Sequence, residues 1–202
     1  MRRKLSGVGI SIIFVLALAF VPVVNAEIAD HVVISEVYVN PVNESSSDWI
    51  ELYNPTDSNI DIGGWTINTS SGYDWANATI SSGKVIPGYG FFLLADKGFL
   101  TGKDNYTWPD ADFEDDIDII NENGWLQLKN STGAIIDTVG WGSATVNETL
   151  AYPKNPPQNK SLQRKDNETQ IGSYGPAWDS NNNSADFFIQ ATPNPQNSTW
   201  IN

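Results

Sequence analysis

The chain has 202 residues, with 11 Lys plus Arg against 24 Asp plus Glu, a single His and no Cys, for a formal net charge of −13. Phosphate backbones are held chiefly by Lys and Arg that displace counterions, so no nucleic-acid partner is expected for so acidic a chain. The lack of Cys removes disulfides, thiol nucleophiles, thiolate zinc sites and a lipidated N-terminal Cys, and a single His removes a histidine-rich zinc centre.

Residues 1–26 carry Arg2, Arg3 and Lys4, then an apolar run from Val8 to Val24 that closes on Val24-Asn25-Ala26. That layout predicts a secretory signal cleaved after Ala26. The run is somewhat short for a bilayer span, so no membrane insertion is expected after cleavage and the mature protein is expected to be secreted or at the cell surface; a retained membrane anchor is the alternative. Removing the segment leaves 8 basic against 24 acidic residues, a formal charge of −16. Such acidity suits solubility outside a cell. The remaining chain is long enough to bury roughly 70% of its unfolded surface without staples. One domain over 27–196 and a tail over 197–202 are therefore expected.

The mature chain reads as strand after strand. Val32 to Val39 is β-branched, Trp49 to Tyr53 alternates, and Ile60 to Asn68 contains Gly63-Gly64 as a bulge or tight bend. Ser70 to Gly83 is a polar insertion. Phe91 to Ala95 is the next strand, followed by a second, acidic insertion from Lys97 to Asn121. Trp125 to Lys129, Ala134 to Trp141, Ser161 to Arg164 and Phe187 to Gln190 complete the strands, with a Pro/Asn-rich stretch over Tyr152 to Asn159. Asn54-Pro55, Pro87-Gly88, Asn123-Gly124 and Thr132-Gly133 punctuate them as turns. Thr192 to Asn202, with Pro193 and Pro195, is expected to end the last strand and then fray. No segment keeps a helical period for three turns, and no heptads or repeats occur, so the pattern predicts an all-β sandwich or barrel.

Few residues in this frame could carry chemistry. His31, five residues beyond the expected cleavage site, is expected to be exposed ahead of the first strand rather than part of a triad. The densest acidic stretch places Asp110, Asp112, Glu114, Asp115, Asp116 and Asp118 at near-alternate positions in a loop. Flexible loops rich in hard oxygens can hold calcium, although the EF-hand glycine and terminal glutamate are missing. Tyr73, Trp75, Tyr106 and Trp108 lie in polar insertions and could stack on sugar rings. Trp65, Trp125 and Trp141 sit in or beside apolar strands and are expected to pack there. Acceptor triplets occur at Asn43, Asn68, Asn77, Asn105, Asn130, Asn147, Asn159, Asn167, Asn182 and Asn197, several times more often than random order gives. They predict surface N-glycosylation, although Asn, Ser and Thr also gather in turns.

Taken in order, Val33-Ile34-Ser35-Glu36-Val37, Asn40-Pro41, Asp48-Trp49-Ile50-Glu51-Leu52-Tyr53-Asn54-Pro55 and Ile60-Asp61-Ile62-Gly63-Gly64-Trp65-Thr66-Ile67 resemble the lamin tail domain. Val85 to Leu94 is similar to that family's Pro-Gly turn into a buried strand. Trp125-Leu126-Gln127-Leu128, Gly133, Ile136-Asp137 and Trp141-Gly142 resemble its next hairpin. Ala191-Thr192-Pro193-Asn194-Pro195 resembles its final turn, with Asn194 where the family commonly has Gly. The likeness spans roughly residues 31–196 and implies an immunoglobulin-like β-sandwich, of the kind found in exported microbial proteins, with no catalytic apparatus of its own. It leads to a non-enzymatic module that tethers or recognises a surface protein or polysaccharide. A carbohydrate-binding module using the loop aromatics is the alternative. A metal-dependent hydrolase is the remote one, since no carboxylate pair stands out.

Overall fold

The computed structural model describes residues 27–44, 46–167 and 175–200; the expected signal segment, 1–26, lies outside them. The described chain forms β1 (Glu27–Ile28), β2 (Val33–Tyr38), β3 (Trp49–Tyr53), β4 (Ile60–Asp61), β5 (Thr66–Thr69), β6 (Ala78–Thr79) and β7 (Val85–Ile86). It continues through β8 (Phe91–Asp96), the one-turn helix α1 (Phe99–Gly102), β9 (Phe113–Asp115), β10 (Trp125–Lys129) and β11 (Ile135–Gly140). The last elements are β12 (Ser161–Arg164), β13 (Trp178–Asp179), the one-turn helix α2 (Asn183–Asp186) and β14 (Phe187–Gln190).

A six-stranded sheet runs β14-β12-β2-β3-β8-β9 and a four-stranded sheet runs β11-β10-β5-β6. Pairing is antiparallel except at the edge, where β9 joins β8 in parallel. Period-two alternation decides which side chains meet between the sheets. Ile50 and Leu52 of β3 and Phe92 and Leu94 of β8 point inward from one sheet. Leu126 and Leu128 of β10 and Ile67 of β5 point inward from the other, and all of these are fully or almost fully buried. At roughly 1.5–3 kcal/mol for each fully buried aliphatic or aromatic side chain, this layer supplies most of the favourable free energy. The architecture is the all-β, immunoglobulin-like sandwich that the sequence predicts.

Several local features depart from expectation. The two insertions add structure: the first contributes a 3-10 turn (Asp74–Ala76) and β6, the second α1 and β9. Their backbone groups find ladder partners, which a polar composition alone conceals. A short strand, β1, precedes His31 and pairs with β13. Trp141 is fully buried in the main core and donates its indole N–H to the Asn121 carbonyl at 3.2 Å. Asn123 takes a left-handed φ of 57°, and a Cβ on Gly124 would lie 2.5 Å from the Trp141 ring, so this turn needs its Gly.

All six residues of β2 are buried, because both faces of its sheet are covered. The β2–β3 register shifts between Ile34 and Glu36. This bulge at Ser35 keeps Ile34 and Val37 in the core while turning Glu36 and Tyr38 to the outer face. There, Tyr38, Trp49, Leu93, Ala95, Phe99 and Trp108 form one satellite cluster, and Ala29, Val33, Tyr53, Phe91 and Ala177 form another. Residues 192–200 lie between and over these clusters as a strap. Its backbone N–H groups donate to Glu36 from Asn194, to Glu51 from Gln196 at 2.6 Å and to Asp112 from Ser198 at 2.9 Å. The Trp200 ring meets Phe91 edge-on at 5.4 Å. The fraying expected beyond β14 is thus replaced by docking, because buried carboxylates on the sheet need donors and the strap supplies them.

Candidate functional site

The acidic run does not gather its carboxylates. Asp110 pairs with Lys103 at 2.9 Å. Asp112 accepts hydrogen bonds from the Leu93 N–H and from Ser198. Glu114 accepts from the Gly98 and Leu100 N–H groups at the start of α1, and Asp115 from Thr79 N–H at 3.3 Å. Asp116 pairs with Lys97 at 3.2 Å. Five of the six expected calcium ligands are therefore committed to separate backbone or Lys donors. Asp118 stays near Asp48, a buried carboxyl held well above the usual range by burial first, then by Asp96 and Glu44.

Among the described residues, the carboxylates that converge are Glu148, Asp179 and Asp186, whose oxygens lie within 4.8 Å of one another. The fully buried Arg164 guanidinium stands beside this group. It donates to Asp137 at 2.7 Å, to the Ile34 carbonyl at 3.0 Å and to the Trp178 carbonyl at 2.9 Å, with Asp179 at 3.9 Å. Burial alone pulls the Arg164 pKa down, but Asp137, Asp179, Glu148 and Asp186 outweigh it and carry it up. Burial, reinforced by Asp137, raises the Glu148 carboxyl to about 9 against the relief from Arg164. Glu148 thus holds a proton at neutral pH. The cluster is an ionic anchor that ties β11, β12 and the α2 turn together, with its cation supplied by Arg164. Neither Arg164 nor its partners carry a sequence signal, since they meet only through the tertiary fold.

The four loop aromatics separate. Trp108 is buried against Tyr38, Trp49 and Phe99, and its indole N–H donates to the Pro193 carbonyl at 3.2 Å. It serves as a loop anchor and has no face left for a ligand. Tyr106 is 75% exposed at a loop tip, its hydroxyl donating to the Thr101 carbonyl. The Trp75 side chain lies outside the described residues. Tyr73 is 60% exposed and lines a cleft of about 270 Å³ with Asn68, Ser70, Asp74, Asn77, Trp125 and Lys129. Trp125 belongs to this cleft because Leu126 and Leu128 point into the core, leaving Trp125, Gln127 and Lys129 on the outer face of the four-stranded sheet. The alternation was in the sequence; its Trp at the head of an otherwise polar face was the available signal. An aromatic pair beside amides, hydroxyls, one carboxylate and one ammonium can stack on a ring face and hydrogen-bond its edge.

The acceptor asparagines differ in what their amides do. Asn105, Asn130 and Asn197 each accept hydrogen bonds at Oδ1 from the N–H and hydroxyl of the Thr two residues on. The triplet therefore also builds an Asx turn. Nδ2 is committed in Asn43, to Ser46 and the Gly102 carbonyl, in Asn147, to the Ala144 carbonyl, and in Asn197, to the Asp110 carbonyl. Asn159 takes a positive φ beside the fully buried Ser161, and Asn182 precedes α2. Asn167 adjoins residues outside the described set, and Asn68 and Asn77 border the Tyr73 cleft.

Residues 25–143 match the family model described as Lamin Tail Domain, which is more than half of the chain. No curated protein matches the sequence. The match ends before β12 and β14, which complete the six-stranded sheet. Among the described residues, no helix is long and apolar enough to cross a membrane.

Proposed function

This chain belongs to the lamin tail domain family, a family of non-enzymatic immunoglobulin-like modules, and from that premise we propose that it is an exported, glycosylated module that tethers or recognises a surface protein or polymer. The observation that carries this reading is the division of its chemistry. The buried charges are spent on holding the fold, whereas the Tyr73–Trp125 cleft is open on the outer face of a rigid sheet. A rigid scaffold presents its binding groups with little ordering cost, which favours affinity.

The composition of the cleft favours a saccharide as the bound polymer. Tyr73 and Trp125 offer ring faces, while Asn68, Asn77, Asp74 and Lys129 offer donors and acceptors at the rim. The test is retention of the purified chain on insoluble polysaccharides and on surface-protein extracts. Wild type and Tyr106→Ala should be retained equally, and Tyr73→Ala should lose most of its retention. Equal retention of Tyr73→Ala, or no retention on any polymer or extract, would overturn the reading. The intact mass of the exported protein checks the rest: it should begin at Glu27 and carry glycan.

A further inference from the structure

We propose that the C-terminal strap, residues 192–200, is a proton-gated clasp: it stays closed over the outer face of the six-stranded sheet while Glu36 or Glu51 keeps its proton, and opens when both ionise. The inference is independent of the saccharide reading, since strap and cleft lie on different sheets.

Glu36 and Glu51 are direct cross-strand partners on β2 and β3, and both are fully buried. Like charges placed opposite one another across a ladder repel, and burial amplifies the effect. Glu36 Oε1 accepts from the Ser161 hydroxyl and from Asn194 N–H at 3.4 Å, while its Oε2 has no donor. Glu51 accepts from the Ser35 hydroxyl at 2.5 Å and from Gln196 N–H at 2.6 Å. Two of the strap's backbone anchors therefore sit on the two carboxyls themselves.

Among the described residues, no cation pairs with Glu36 or Glu51. From β12 the two meet Ser161 and Gln163, from β8 Leu93, and from the strap Asn194 and Gln196. The acidic loop brings Asp112, which is engaged with Ser198. Lys103 is held by Asp110, Lys160 donates to the Ala191 carbonyl at the root of the strap, and Arg164 binds Asp137 in the interior. Burial raises the Glu36 carboxyl to about 7, and burial followed by the charge of Glu36 holds Glu51 well above the usual range. Both folded values are raised, so the clasp is fully stabilised below the ordinary carboxylate pKa; the stabilisation begins to be lost as Glu36 ionises through about 7 and is gone once Glu51, held up by the Glu36 charge, follows at higher pH. In an open strap water solvates both carboxylates, and the aromatic faces of Tyr53 and Phe91 lose the cover of Trp200.

Hydrogen exchange of the full chain read by mass spectrometry tests the gate, with rates corrected for the intrinsic pH dependence of amide exchange. Protection at Asn194, Gln196 and Ser198 should fall at least about tenfold between pH 5.5 and 10, while β3 and β8 stay protected. Glu36→Gln, which keeps its acceptor for Ser161 and Asn194, should hold the strap protected at both pH values. Glu51→Gln provides a second variant with the same expected result should the first fold poorly. Flat wild-type protection, an unchanged slope in a folded Gln variant, or parallel loss of protection in β3 and β8 would each overturn the clasp.

Discussion

Replacing Asp137 by Ala removes the carboxylate that is hydrogen-bonded to a guanidinium with no access to solvent. Asp137 accepts from Arg164 Nη2 at 2.7 Å, from Ile34 N–H at 2.6 Å and from Thr138 N–H at 2.7 Å, and both charged partners are fully buried. Breaking a buried pair by deleting one member costs about 3–5 kcal/mol, because the remaining charge has nothing to solvate it. Here the lower end applies. Glu148 is neutral in the intact cluster, and it can release its proton and take over part of the role of Asp137. A loss of about 3 kcal/mol corresponds to a fall in Tm of about 6–12 °C for a domain of this size, and to a drop of about 1–2 M in the urea midpoint. Urea unfolding followed by far-UV circular dichroism measures it. Asp137→Leu combined with Arg164→Met removes both charges and should cost less than Asp137→Ala alone. A single variant within 0.5 kcal/mol of wild type, or a double variant that is worse than the single, would refute the assignment of this cluster as the ionic anchor.

Trp108→Ala empties the satellite cluster around Tyr38, Trp49 and Phe99 and should cost about 3–5 kcal/mol in the same assay, whereas Tyr106→Ala should stay within about 0.5 kcal/mol. Stability should decline as pH rises from about 5 to 9, because Glu36 and Glu148 both have raised folded pKa values, about 7 and about 9. Their contributions are complete below the ordinary carboxylate range and are lost as pH passes those values, so Glu36→Gln should flatten the lower part of the decline and Glu148→Gln the upper part. Peptide mapping should find glycan on Asn105 and Asn130, which use only Oδ1 in their Asx turns, and none on Asn43, Asn147 or Asn197, whose Nδ2 groups are already donors.

Strand positions were legible because alternation and turn chemistry are local. Trp49 to Tyr53 and Trp125 to Lys129 carry their two faces in plain view, and Asn54-Pro55 and Asn123-Gly124 carry their turns. The outer layer was not legible. Simple alternation in β2 puts Glu36 on the same side as Ile34, and only the bulge at Ser35 turns it toward Glu51. Nor does a Pro-containing tail announce that it will dock, because its partners, Glu36, Glu51 and Asp112, lie far off in sequence. The acidic run illustrates the opposite case. Its spacing resembles a ligand set, yet each carboxylate meets a donor that only the folded chain brings near. Apolar neighbours point Trp125 toward packing, although the alternation of its own strand puts it with Gln127 and Lys129.

The claim that this module acts by binding at one rigid face is tested most directly by mapping amide chemical-shift changes in the 15N-labelled chain with a soluble oligosaccharide of whichever polysaccharide retains it. The account predicts saturable changes centred on Asn68, Ser70, Tyr73, Asn77 and Trp125, with the β2–β3–β8 face unaffected. Saturable changes confined to the strap face or to the Arg164 cluster, or no saturable change at all, would contradict it.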